Sequence, residues 1–181
     1  MLSVRLHSVR NLPAFFIQIL KEGSNMKHHQ KRKGMKNAAP RCPYCGSHTV
    51  LRSADGIYVD NSRETMLYVC KNYPACDAYV RVQPGTTIPL GTVANRELRA
   101  MRAEAHRHFN QLFKYGFMTK HDAYQWLAGI LNVSRDQAHI GCLNEITCEY
   151  VTREAKKLVA WYQEKQREKN CRLRKGGAMA S

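Results

Sequence analysis

Residues 41–82 read RCPYCGSHTVLRSADGIYVDNSRETMLYVCKNYPACDAYVRV, and the four cysteines in this stretch decide the fold. Cys42 and Cys45 are spaced C-x2-C, and Cys70 and Cys76 C-x5-C, with 24 residues between the pairs. C-x2-C is metal-ligand spacing. A borderline-soft Zn²⁺ favours four thiolates at the corners of a tetrahedron, which two knuckles on adjacent hairpins can supply. Gly46 leaves room for backbone N–H groups to turn toward the sulfurs, and Pro74 stiffens the second turn. The expected ligands are therefore Cys42, Cys45, Cys70 and Cys76, around one structural Zn²⁺. A module this small buries too little apolar surface to fold unaided, so the metal contributes folding energy outright. Four unrelated cysteines, or a redox pair at Cys42 and Cys45, are the competing readings. No βαβ context accompanies the pair, and four sulfurs leave no open position for catalysis.

Outward from the cysteines, short β-type runs fall at 49–52, 57–59, 66–69 and 78–82. Asp55-Gly56 and Asp60-Asn61-Ser62 are the turn signals between them. Residues 83–91, with Pro84-Gly85 and Pro89, read as a loop or linker. From Thr92 the apolar period becomes helical, with Leu98, Met101, Ala105, Phe109, Leu112 and Phe113 three and four residues apart. Gly116 ends that helix. Thr119 to Asp122 opens a second helix by a capping box, with Ala123, Tyr124, Leu127, Ile130 and Leu131 on one face and Asn132 as its stop. Ser134 to Gln137 starts a short third helix by the same logic. Asn144 caps the last, whose expected buried stripe is Ile146, Tyr150, Val151, Ala155, Leu158, Val159 and Tyr162. Beyond Gln163 the charged sequence is expected to fray. The fold class is α+β: a small four-cysteine zinc ribbon of antiparallel β at 40–83, followed by a three- to four-helix domain at 92–163. The basic ends, 1–39 and 164–181, are expected to be flexible and disordered.

The net charge is +15, from 29 Lys+Arg against 14 Asp+Glu, and its placement is uneven. Residues 1–41 hold nine basic residues against one acid, and residues 153–181 nine against three. The centre of the chain is nearly neutral. Flexible basic ends attract phosphates without regard to sequence and in a salt-sensitive way. Residues 1–20, with Arg5, Arg10, no acid and an apolar stretch from Leu12 to Leu20, resemble a weak targeting segment. No small-x-small cleavage site follows, and Met26 and Met35 are alternative starts. No segment reaches the ~20 apolar residues that span a membrane. The expected setting is the cytoplasm.

Aromatic and basic side chains interleave through the ribbon: Arg52, Tyr58, Arg63, Tyr68, Lys71, Tyr73, Tyr79 and Arg81. Bases stack on aromatic faces while cations hold phosphates, so these residues form a candidate single-strand platform. The competing role for the tyrosines is to fill the ribbon's thin core, and the four basic residues among these are matched by Asp55, Asp60, Glu64 and Asp77. Arg96 and Arg99, with Arg102 and His106, lie near one face of the first helix and are further phosphate candidates, or part of a solvated face. Residues 120–141 have the order of a helix-turn-helix, though a plain helical hairpin fits the short, near-neutral second element better. His106, His108, His139, Cys142 and Cys148 lack an accompanying carboxylate cluster and read as core or cap groups, not a second metal site. No residue is assigned to catalysis.

The knuckles CPYCGS and VCKNYPACDAYV resemble the C-terminal zinc ribbons of type IA DNA topoisomerases, which carry CPxCG and a C-x-N-Y-P-x-C knuckle. That resemblance covers about 40 residues and implies contact with single-stranded DNA; no strand-cleaving tyrosine is implied. Residues 40–160 as a whole are similar to a family of uncharacterised zinc-finger-containing proteins from bacteria, plasmids and phages. The similarity runs through LGTVANRELRAMRAEAHRHF, AYQWLAGIL and AHIGCLNEITC. It implies a ribbon followed by helices, and a mobile-element origin. The function expected from all of this is a non-enzymatic nucleic-acid-binding protein that contacts single-stranded or non-specific DNA or RNA. The alternative is a zinc-stapled adaptor that docks on a protein partner of a phage or mobile element.

Overall fold

The computed structural model describes residues 39–177. The expectations for residues 1–38, a targeting-like segment, alternative starts and a disordered basic lead-in, lie outside the described residues. Three strands, β1 Thr49–Ser53, β2 Met66–Cys70 and β3 Tyr79–Arg81, form an antiparallel sheet in sequential order. Three helices follow: α1 Arg96–Lys114, α2 Lys120–Leu131 and α3 Glu145–Gly177. The chain divides into two compact units. One holds residues 39–103 with His139–Cys148, and the other holds Glu104–Ala138 with 149–177.

In the first unit the register sets two faces on the sheet, because successive side chains of a strand alternate. Val50 pairs with Val69 and Val69 with Tyr79; Arg52 pairs with Leu67 and Leu67 with Arg81. These six lie on one face. Thr49, Leu51, Tyr68, Cys70 and Val80 lie on the other. Each face has its own small core. Leu67, Val69 and Ala54 pack with Ile57, Tyr58, Tyr73 and Tyr79. Tyr68, Cys70, Val80, Cys42, Ala78, Val82 and Val93 make the second cluster. Leu67 to Cys70 are all buried because β2 is the central strand and both of its faces are covered.

The run at 57–59 is not a strand. Ile57 and Tyr58 both donate their N–H to Ala54 O, at 2.9 Å, and Gly56 takes a left-handed φ of 74°. The Asp55 carboxylate, which accepts from Ser53 Oγ and Asn61 Nδ2, holds this turn and leaves only a single bridge to Tyr58. Residues 83–91 fold back along β3: Leu90 N–H donates to Arg81 O, and Tyr79 and Ala94 exchange backbone bonds. Asn95 Oδ1 then accepts from Leu98 N–H and caps α1.

Arg102, further along α1, is buried. Its Nε and one Nη donate to Leu143 O at 2.9 and 2.7 Å, and the guanidinium also reaches Thr92 O (2.8 Å) and Thr92 Oγ1 (2.6 Å). Burial draws its pKa down, yet four charge-assisted hydrogen bonds replace the lost water. Beside it Thr92 N–H donates to Gly141 O, and a Cβ on Gly91 would overlap the Gly141 backbone. The segment 139–148 is thus stitched into the ribbon's unit.

In the second unit Phe109, Leu112, Trp126, Leu127, Val151, Ala155 and Leu158 are buried. Phe109 stacks on Trp126 with centroids 6.4 Å apart, and Phe117 lies parallel to Tyr162 at 5.1 Å. The expected caps are present. Thr119 Oγ1 accepts from Asp122 N–H, Asn132 sits left-handed after α2, and Asn144 Oδ1 accepts from Thr147 N–H. Three sequence expectations need correction. The short helix expected from Ser134 is a single 3-10 turn, Arg135–Gln137, followed by another at Ile140–Cys142. The residues of the first turn are all exposed, so no apolar stripe exists to extend it. Ile146 is exposed and Cys148 buried, because two residues along a helix is about 200° around it. Lastly, α3 runs to Gly177, past Gln163 and into the stretch expected to be disordered, supported by pairs of Lys165 with Glu168 at 2.9 Å and Arg167 with Glu164 at 3.4 Å. Among the described residues no helix is long and apolar enough to cross a membrane.

Replacing Arg102 by Met removes every side-chain donor to Leu143 O and Thr92 O while keeping most of the side chain's bulk. The expected cost is about 1–3 kcal/mol, from the buried Leu143 carbonyl left unpaired. A lower urea midpoint at unchanged slope would register it.

Candidate metal centre

Each cysteine is set by local backbone chemistry. Cys42 N–H donates to Ser47 O and Gly46 N–H to Cys42 O, closing the first knuckle, and Gly46 takes a φ of 72° that favours glycine. Cys70 ends β2. Tyr73 N–H donates to its carbonyl and Cys76 N–H to Asn72 O, closing the second knuckle. Lys71 N–H to His48 O ties the knuckles together at 3.0 Å.

The four sulfurs converge within 4.8 Å of one another. Cys42 Sγ lies 3.6 Å from Cys76 Sγ, and Cys45 Sγ 3.3 Å from Cys70 Sγ. These are not disulfides. A tetrahedron with Zn–S bonds of ~2.3 Å has sulfurs about 3.8 Å apart, so the cluster is close to the size such an ion needs. The surrounding donors suit thiolates. Hydrogen bonds from Ser47 lower the Cys45 thiol to about 6, whereas burial pushes Cys70 up to about 12 and Cys76 upward. Asn72 Nδ2 approaches Cys45 Sγ at 3.7 Å and donates to Ser47 Oγ at 2.9 Å. Ser47 and Asn72 are functional residues that the sequence reasoning misses. Their signal is their position, each two residues after a ligand, where a backbone N–H turns back to the sulfur.

Four thiols at the tips of two knuckles on an antiparallel sheet define a zinc finger of ribbon type. The family described as a zinc-finger-containing domain matches residues 38–158, and the chain belongs to it. No curated protein and no solved structure matches the chain. The donor set and the family both point to zinc, which Cys42, Cys45, Cys70 and Cys76 would hold.

The structure sorts the other candidates by face. Tyr58, Tyr73 and Tyr79 gather round Leu67 and Val69, with Tyr58 and Tyr79 edge to face at 6.2 Å. Arg52, with its guanidinium 5.8 Å from the Tyr73 ring centre, and Arg81 are exposed on the same face. Tyr68 points the other way; it is buried, and its hydroxyl donates to Thr87 O at 3.1 Å. Arg99 lies 3.6 Å from the Tyr79 ring centre, and its guanidinium is held by Asp77 at 3.1 Å and by two backbone carbonyls. Arg63, Lys71 and Arg96 are exposed. Cys148 is buried, while His106, His139 and Cys142 are exposed, and among the described residues the only metal-sized cluster is that of the four ribbon cysteines.

Elemental analysis is expected to find about one zinc per chain, and none after Cys70→Ser with Cys76→Ser. Thiolates bind and thiols do not, so zinc affinity should fall steadily as pH falls, which a zinc-sensitive dye would follow across a pH series. Chelation at neutral pH should expose amides of 96–103 and 139–148 to hydrogen exchange along with the ribbon, because they share its compact unit. Amides of α2 should stay protected.

Proposed function

We propose that the protein is a non-enzymatic zinc-ribbon nucleic-acid-binding protein that takes single-stranded DNA or RNA on the sheet face of Tyr58, Tyr73 and Tyr79. One observation carries this reading: the partly exposed tyrosines and the exposed Arg52 and Arg81 share one face, and the buried Tyr68 occupies the other. The Arg99 guanidinium lies against the Tyr79 ring at 3.6 Å, whereas Arg52 stands 5.8 Å from the Tyr73 centre, so Tyr58 and Tyr73 are the stacking surfaces. The ribbon's near-neutrality opposes binding less than its sum suggests. Asp77, one of its four acids, is paired with Arg99 of α1, outside the ribbon. Arg52 and Arg81 form no ion pair with a carboxylate of the described residues. The likeness of the knuckles to topoisomerase ribbons supports the same ligand, and reduced thiols fit a cytoplasmic setting.

A zinc-stapled adaptor, of phage or mobile-element origin, is the second reading. Exposed Val50, Val59, Ile88 and Leu90 on the ribbon's unit favour it.

Binding of labelled single strands by the full chain, measured by anisotropy across a salt series, separates the two. Tyr58→Ala and Tyr73→Ala should each weaken binding by about 1–3 kcal/mol with zinc content unchanged. Tyr68→Phe should leave it as it was. Absence of single-strand binding at low salt, with zinc in place, would favour the adaptor.

A further inference from the structure

The buried stripe of α3 continues past the point where its packing ends. Val151, Ala155, Leu158 and Tyr162 follow one another at spacings of four and three, and the same spacing leads to Lys165, Lys169 and Arg172. Spacings of three and four keep all seven on one helix face. Val151, Ala155 and Leu158 are buried and Tyr162 is half-buried against Phe117; Lys165, Lys169 and Arg172 are exposed. The helix therefore carries on through residues 163–177, about 22 Å at ~1.5 Å per residue, with cations where its apolar seam had been.

The charge on this stretch is one-sided. Residues 164–175 hold six basic residues and two acids. Both acids are engaged, Glu164 with Arg167 and Glu168 with Lys165. Lys169 and Arg172 form no ion pair among the described residues. A second copy of this helix cannot cover the face, because lysines and arginine at seam positions would meet like charges. An apolar groove would strip their water without compensation. The occupant that complements the face is a polyanion. A single strand gains nothing from a straight rod, since a flexible basic tail serves it equally. A duplex does gain, because a helix ~10–12 Å across matches the ~12 Å width of the B-DNA major groove. The deep, narrow major groove of A-form RNA does not admit it.

We propose that residues 163–177 of α3 form an arm for double-stranded DNA, with Lys169 and Arg172, and Lys165 once it exchanges its exposed pair with Glu168 for a phosphate, contacting the backbone independently of sequence. This rests on the nucleic-acid reading above and adds a second site, on a different element, for a different form of nucleic acid.

The test compares the full chain with a triple variant, Lys165→Gln, Lys169→Gln and Arg172→Gln, chosen because glutamine keeps helix propensity. Circular dichroism verifies that the helix is retained. Binding is measured to a duplex of about 20 base pairs, to a single strand of the same length and to vesicles containing anionic lipid, between about 50 and 200 mM salt. The triple variant should lose about tenfold or more in duplex affinity. Its log–log salt slope should become shallower by about 2–3, at ~0.9 for each phosphate contact removed. Single-strand binding should change much less, and Tyr58→Ala should show the converse pattern. Duplex affinity and slope equal to those of the unaltered chain, with single-strand binding intact, would overturn the arm while leaving the ribbon reading in place. Loss of vesicle binding in place of duplex binding would overturn it in favour of a membrane surface. Failure of the unaltered chain to bind either nucleic acid would overturn both.

Discussion

Everything in the ribbon's unit depends on bringing four sulfurs to within 4.8 Å of one another. The sheet has three strands, the longest of five residues, and neither of its faces carries a core larger than a handful of side chains. Apolar burial on that scale does not offset the entropy of ordering the turns between strands. A metal ion held by the four sulfurs would cross-link the turn before β1 to the turn after β2, and so close the loop between them at its root. The same sites explain why Gly46 and Ser47 sit where they do. One lets the chain turn left-handed, and the other stabilises the thiolate of the most exposed ligand.

This centre is legible in the sequence because metal chemistry tolerates so few spacings. Cys42, Cys45, Cys70 and Cys76 stand out for that reason, and so do the caps at Thr119, Asn132 and Asn144, where one residue satisfies one backbone group. Less local features are harder to read. The turn at 57–59 has strand-like residues, but Asp55 bonds to its own neighbours and wins over propensity. Trp126 is buried although its position falls outside the expected face of α2. Ile146 has the composition of a core residue, but Cys148 sets the phase of the buried stripe. The continuation of α3 is hidden because charged residues without an apolar partner carry no periodic signal; pairs three residues apart support it instead.

Arginine chemistry shows the same divide. By position, Arg99 and Arg102 suit phosphate contacts, since both lie on a basic helix face near a ribbon. In the fold they are internal fasteners. Arg99 joins the Asp77 carboxylate to the Tyr79 ring, and Arg102 gathers the carbonyls of Thr92 and Leu143. A planar fork of five donors can satisfy several buried carbonyls at once, which a lysine cannot. The residues left for a ligand are those with which no carboxylate of the described residues pairs, Arg52 and Arg81 among them.

The ribbon's unit is assembled from two separate parts of the chain, 39–103 and 139–148, with Glu104–Ala138 threaded out between them. On the ribosome, all four cysteines therefore emerge well before the segment that completes their unit. Zinc can be captured early, on a nascent ribbon whose Arg102 is still hydrated. Only after Leu143 has left the exit tunnel can that arginine find its carbonyl and the unit close. The chain order thus allows metal loading to precede final consolidation, with the synthesis of α2 between them.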